Sequence, residues 1–511
     1  MDYKLNRENF TVSQTLFDST VQQSAELDYI LPDYYPEIFK VLSIKIIPSI
    51  AKRSLNGTKL DYELCAKVRL VYVSESGEMS AVEQVLSYGK SVELAQAAKS
   101  TRIVITPYTE SASCRVVNKR RVDIRGIVSI AISATADDMM QAVSDAYGGG
   151  IQLKKTLLTY PAKRISVTKK VTVVDEVELG LSKPAVKTVL RADAYVGTAD
   201  KKILSGKLLT KGEAIISLLY IPEDSDDPES IKFSVPFSQI SDIEGLDERY
   251  DVILDASVCD CDIKPAQSEG NPTVSCELSI EINCLAMRFD SRELASDAYS
   301  TQYEAIPEMS EAQIECIPVP INESIKSKAS LTYYDGEISS VISAGAELGR
   351  ITAEANASGE TVLNGRITFY AYAKNEAGKP IYLEVSDRIS LALPGKSVGA
   401  SRSCAVSAYV GSAAFNLSSS NAMEITADVK LSGHLFETSS LSFISSITLD
   451  ETKPIESGKD AAIKLYYAEK GEEPWLIAKR CHASLAAITE ENELDTVRLE
   501  EAKMILIPIV D

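Results

Sequence analysis

Residues 273–287 read TVSCELSIEINCLAM. Val274, Cys276, Leu278, Ile280, Ile282 and Cys284 fall at every second position, with Ser275, Glu277, Ser279, Glu281 and Asn283 between them. Period two over so long a stretch is a β-strand with one face buried; a helix would bring its apolar residues back every three or four positions. The same rhythm returns at 422–435, where Met423, Ile425, Ala427, Val429 and Leu431 alternate with Glu424, Thr426, Asp428 and Lys430. RVDIRGIVSIAIS at 121–133 is a looser third case. Each such strand closes one copy of a longer repeat.

The repeat is traced from other landmarks. LPDYYPEIFKVL at 31–42 sets two prolines around an acid and a tyrosine pair. PAVKTVL at 184–190 echoes PEIFKVL at 36–42, and Tyr72 and Tyr220 each follow their proline by the same interval. Gly57 matches Gly206, and SDAY stands at Ser144–Tyr147 and again at Ser296–Tyr299. A third copy is read from Gly359 and Tyr372, without the proline and without the Tyr34–Tyr35 pair. Periods of this length mean tandem domains and not a short-repeat solenoid. Turn signals such as SESGE, EDSDDPES and KNEAGKP follow the tyrosine strand, as hairpin loops do. The reading is mainly β: three sandwich-like domains of antiparallel sheet at 1–160, 161–310 and 311–455. The opening stretch then reads chiefly as the entry into a β-domain, with a binding role for Tyr34–Tyr35 as the alternative.

Bulk properties agree with this. The chain has 511 residues, enough for three or four domains with cores of their own. A net charge of -20 repels phosphate, which argues against nucleic acid or an anionic bilayer as partner and suits a basic protein face. The first residues, MDYKLNRENFTVSQTLF, show no apolar core of a signal peptide, and no stretch approaches the length of a membrane helix. Nine scattered cysteines without a secretory signal read as reduced thiols in a cytoplasm.

Catalytic chemistry is not visible. Neither His434 nor His482 has a nucleophile close in sequence. Cys259-x-Cys261 has no second pair for zinc, and Cys276 and Cys284 read as small core residues. AYGGGIQ at 146–152 lacks the Lys-Ser/Thr of a phosphate loop and reads as a linker. EDSDDPE at 223–229 lacks the spacing of a calcium loop. No enzyme activity, metal or cofactor is expected.

From Ile463 the pattern changes to strand, helix, helix, strand. IKLYYAE is a short strand, Pro474 suits a first helical position, and Ile477, Ala478 and Cys481 share a helix face. Ser484 is placed to cap a second helix with Leu485 and Ile488 inward, and MILIPIV is a closing strand. Gly471, Trp475, Ile477-Ala478, Asn492-Leu494 and Leu506-Ile507-Pro508 resemble the pattern of a LysM domain, expected at 460–511. Leu27, Asp28, Leu31, Pro32, Asp33, Tyr34, Pro36 and Ile38 resemble the SPOCS signature. The combination resembles the spore-coat morphogenetic family of endospore-forming clostridia.

That resemblance implies a non-enzymatic scaffold of the mother-cell cytoplasm, at the forespore surface. It would dock on the morphogenetic ATPase through the LysM-like domain, among other coat proteins. The docking residues expected are Trp475, Ile463, Glu472, Glu473 and Lys479. For Trp475 two roles stay open, closing the small core or meeting a partner. The alternative is a peptidoglycan- or chitin-type glycan-binding protein of cell wall or cortex. The glycan loops weigh against it: Gly471-Glu472-Glu473-Pro474 and Glu500-Glu501-Ala502 bring four carboxylates to the groove of a neutral sugar.

Overall fold

A computed structural model describes residues 3–98, 101–180, 182–266, 271–396, 401–455 and 462–508. Repeat one is six strands: β1 (Lys4–Ile30), β2 (Ile38–Asn56), β3 (Lys59–Ser74), β4 (Met79–Glu93), β5 (Thr101–Asn118) and β6 (Arg121–Tyr147). Repeat two runs the same course: β7 (Ile151–Glu178), β8 (Val186–Leu204), β9 (Lys207–Pro222), β10 (Glu229–Asp242), β11 (Asp251–Ala266) and β12 (Thr273–Ser300). In repeat three two strands are each broken in two: β13 (Tyr303–Glu315) with β14 (Val319–Thr332), and β15 (Ile338–Leu348) with β16 (Thr352–Ala355). β17 (Glu360–Asn375), β18 (Pro380–Lys396), β19 (Ser401–Ser419) and β20 (Ala422–Pro454) complete it. The closing alternating strands at 121–133, 273–286 and 422–435 thus lie on equivalent strands, β6, β12 and β20. β7 runs through residue 160 and β13 through 310, so those two expected junctions fall inside strands.

Each repeat is two antiparallel sheets around one core. In repeat one, β1-β6-β5 faces β2-β3-β4; in repeat two, β11-β12-β7 faces β10-β9-β8. Leu60, Leu64, Val68, Leu70 and Tyr72 from β3 meet Val122, Ile124, Val128, Ile130 and Ile132 from β6. In repeat two Val274, Cys276, Leu278, Ile280 and Ile282 take the place of the β6 residues. Burial pushes the Cys276 thiol up to about 12 and the Cys284 thiol to about 11, so both stay protonated packing residues.

The opening stretch is structural punctuation. Leu31 N–H bonds the carbonyl of Arg120 at 2.7 Å and Ile38 N–H that of Lys119 at 2.8 Å, which pins the loop to the β5–β6 turn. The Arg120 guanidinium donates to the carbonyls of Pro32, Asp33 and Tyr35. The equal proline–tyrosine intervals have a physical cause: the Tyr72 hydroxyl donates to Pro36 O at 2.9 Å, and that of Tyr220 to Pro184 O at 3.3 Å. Tyr34 stays 80% exposed.

The third repeat corrects the sequence reading. Asn375 N–H bonds Lys379 O as Ser74 N–H bonds Glu78 O, so these two turns correspond and Ala373 stands where Tyr72 does. Tyr372 lies one residue off and therefore on the other face, since a single-residue shift inverts a strand. It packs between repeats, with Leu42, Val71, Leu190 and Leu219. The tyrosine pair is also not confined to repeat one. Tyr333 and Tyr334 occupy the loop before Ile338, and Tyr334 is 90% exposed.

The far ends of the long strands from all three repeats pack on one another. Phe10 meets Tyr160 at 6.1 Å and Phe443 at 5.1 Å between ring centres, both edge-on, so each repeat supplies one ring. Burying each ring contributes roughly 1.5–3 kcal/mol. The Gly148–Gly150 stretch read as a linker is a tight turn from β6 into β7, with all three glycines at positive φ.

Opposite charges fix a second seam. Lys45 and Asp193 hold the same position in repeats one and two and pair at 2.9 Å. Lys45 also pairs with Glu347 of repeat three at 3.0 Å, and Arg191 pairs with both acids. Arg191 lies 4.0 Å over the Tyr370 ring. Gly345 leaves room there, because a Cβ would come 2.8 Å from the Tyr370 hydroxyl. Burial alone would raise Asp193, but Arg191, Lys45 and Arg69 overrule it and hold the carboxyl far below its usual range.

Candidate functional site

The last segment folds as β21 (Ile463–Ala468), α1 (Pro474–Cys481), α2 (Leu485–Glu491) and β22 (Lys503–Pro508). Residues 460, 461 and 509–511 of the expected domain lie outside the described residues. Pro474 opens α1, and His482 ends it in the left-handed conformation at φ 50°. The Ser484 hydroxyl accepts from Ala487 N–H at 3.4 Å and so caps α2 as expected. Asn492 joins α2 to β22: its amide donates to Leu506 O at 2.6 Å and accepts from Leu506 N–H at 2.7 Å.

The helices cover one face of the two-stranded sheet. Ala468, Ile505 and Ile507 are buried against Ile477, Ala478 and Ile488. The other face is apolar and open. Its cross-strand pairs are Ile463 with Pro508, Leu465 with Leu506, and Tyr467 with Met504. Ile463, Leu465, Tyr467 and Met504 are all exposed, Tyr467 by 69%.

Three of the remaining expected docking residues, Trp475, Lys479 and Glu473, face repeat two. Trp475, for which the sequence leaves core closure and partner contact both open, is 5% exposed. Its indole N–H donates to Asp297 at 2.8 Å, and its ring meets Tyr299 edge-on at 5.0 Å. Lys479 donates to the other oxygen of Asp297 at 2.5 Å. The Tyr299 hydroxyl donates to Ala483 O at 2.7 Å, and His482 Nδ1 lies 3.1 Å from Ser300 O. Burial alone would raise Asp297, but the Lys479 and Trp475 hydrogen bonds bring it below the usual carboxylate range. Glu473 pairs with Lys154 of repeat two at 2.8 Å and with Arg498 at 3.1 Å. Glu472 accepts from the Tyr466 hydroxyl at 2.7 Å and lies 3.3 Å from Arg480.

Trp475, Lys479 and Glu473 are thus brought together against repeat two, Glu472 is held within the module, and Ile463 stands apart on the open face. Sequence reasoning missed Asp297 and Tyr299. Their signal was present in the second SDAY, which reads as a mark of period until its neighbour in space is known.

Elsewhere, a cavity of about 790 Å³ lies beside the charged seam, lined by Lys45, Arg191, Asp193 and Glu347, which satisfy one another. Among the described residues no group of three or more His, Cys, Asp or Glu is placed to hold a metal. Burial lowers the pKa of His434, with Lys201 nearby adding to the effect. No helix of the described residues is long and apolar enough to cross a membrane.

Residues 185–265 match the family model described as SipL, SPOCS domain. Over those residues the chain is similar to a SPOCS domain. The match spans β8 to β11, four of the six strands of repeat two. It points to a sporulation-related protein of spore-coat type. No curated protein and no solved structure matches the chain.

Proposed function

We propose that the protein is a non-enzymatic scaffold of endospore coat assembly in the mother-cell cytoplasm. Repeats one and three, which share the strand order of the matched repeat, serve as further SPOCS domains, and the C-terminal module is a LysM-like domain. The module docks on the morphogenetic ATPase at the forespore surface. The observation that carries this reading is the open apolar face of Ile463, Leu465, Tyr467 and Met504, on a module whose other side is already occupied by repeat two. The glycan alternative is weakened by the loop at Glu472–Glu473, where both acids hold internal partners.

The test is binding of the full chain to the purified ATPase by biolayer interferometry. Leu465→Glu should weaken it about thirtyfold or more, the loss expected for ~2 kcal/mol at an apolar hot spot. Ile463→Glu should act likewise. Both side chains are exposed, so the melting curve should not move. Undiminished affinity in both variants would place the docking surface elsewhere.

A further inference from the structure

We propose that repeat one carries a second seat for the C-terminal module, taken by the module of a second copy of this chain. The seat in use on repeat two lies just past a β-bulge at Ser296. The same bulge occurs at Ser144 in repeat one and at Ser445 in repeat three. In all three the bulged hydroxyl donates to a carbonyl across the ladder: Ser144 to Asn6 at 3.3 Å, Ser296 to Lys154 at 3.1 Å, Ser445 to Glu308 at 3.1 Å. This shared bond fixes the correspondence. Asp145 and Tyr147 stand at the positions of Asp297 and Tyr299, whereas repeat three has Ser446 and Thr448 there and lacks both acid and ring.

The two acids are also held alike. Asp145 accepts from Ala146 N–H at 3.1 Å and Asp297 from Ala298 N–H at 2.8 Å. What differs is occupancy. Tyr299 is 3% exposed beneath the module, and Tyr147 is 55% exposed. The Tyr147 hydroxyl turns back onto Asp145 at 3.0 Å, and Lys155 lies 3.5 Å from the same carboxylate. These are exposed contacts of small worth, and an incoming donor displaces them at little cost.

The chemistry that fits is an indole N–H and an ammonium one helical turn apart, aimed at a carboxylate beside a tyrosine. Trp475 and Lys479 on α1 provide it. The seat on repeat one is the weaker, because Asn6 stands where Lys154 meets Glu473. A module therefore keeps its own seat while chains are dilute, where the intramolecular contact has the higher effective concentration. When chains crowd together, one chain's module moves to its neighbour's repeat one, trading like contacts for like. Seat and module are different surfaces, so the contact is head-to-tail and extends from chain to chain.

The test mixes ¹⁵N-labelled and unlabelled full-length chains at high concentration, without ATPase, and cross-links their amines. Lys4 lies opposite Tyr147 in the ladder and reports on repeat one alone. Mixed-isotope cross-links between Lys4 and Lys479 are expected. Their yield should fall about tenfold when Asp145→Ala and Tyr147→Ala are combined, as one lost charge-assisted contact implies. Tyr147→Phe keeps the ring, frees Asp145 and should retain the cross-link. Lys4–Lys479 links that are absent or confined to one chain, or a yield indifferent to the double substitution, overturn the proposal. The result is independent of ATPase docking through β21 and β22.

Discussion

The repeats meet one another differently from the way the module meets repeat two. Between repeats, a buried Arg191 and the half-buried Lys45, Asp193 and Glu347 form an ion cluster, and aromatic rings from all three repeats pack edge-on. Between repeat two and the module, one carboxylate takes an indole N–H and an ammonium, with a single tyrosine beside it. The first seam is carried on β2 and β8, whose adjacent residues Ile46 and Ala192 lie in the domain cores, so breaking it disturbs the strands of the repeats themselves. The second joins a separate two-stranded unit to repeat two through side-chain contacts, with Trp475 and Tyr299 buried and Asp297 and Lys479 part-exposed. One seam therefore belongs to the fold, while the other is a joint that opens with the repeats intact.

The largest expected effect tests the first seam. Asp193→Ala leaves the buried Arg191, and Lys45, with Glu347 as their one remaining acid, and should cost about 3 kcal/mol of stability for the whole β-region. A urea titration followed by far-UV circular dichroism measures it. A loss under about 1 kcal/mol would mean the cluster is solvated and the contrast false.

Next comes the joint. Trp475→Ala removes a side chain shared by the module core and the seat, and should cost the module about 3 kcal/mol. Hydrogen exchange should speed up across residues 463–508 while β6 and β12 stay protected. Faster exchange in β6 as well would tie the module to the fold.

Acid should open the joint by itself. The Asp297 carboxyl is held below its unfolded value of about 3.9. Its contribution is therefore complete above that value and is lost as pH falls through the lower folded value. Trp475 is the one tryptophan, so a red shift of its emission below about pH 4 reports the opening. Asp297→Asn should remove that pH step. A step that persists in this variant would assign it to another acid.

The smallest effect compares repeats. Tyr72→Phe and Tyr220→Phe each lose one hydrogen bond to a proline carbonyl and should cost about 1 kcal/mol, read from the denaturation midpoint. Tyr372→Phe loses a different partner, the Ser43 hydroxyl at 2.6 Å, and should loosen the contact between repeats one and three. Equal effects of all three on the interior of a single repeat would contradict the one-residue offset found here.

The sequence alone determined the strands, the repeat and the order of elements in the module. Alternation along 273–287 is local, because each side chain reports its own face. The proline and tyrosine intervals were legible because one hydrogen bond enforces them twice. The Pro474 helix start and the Ser484 cap were legible for the same reason, being contacts a few residues long. Tertiary structure alone decided the rest. Trp475 could close a core or meet a partner, and only the fold brings Asp297 and Tyr299, far back in the chain, beneath it. Tyr372 looked like the partner of Tyr72, but its face depends on a turn register that a one-residue shift inverts. Nothing in the sequence singles out Lys45 or Asp193, because their pairing exists only once the repeats pack against one another.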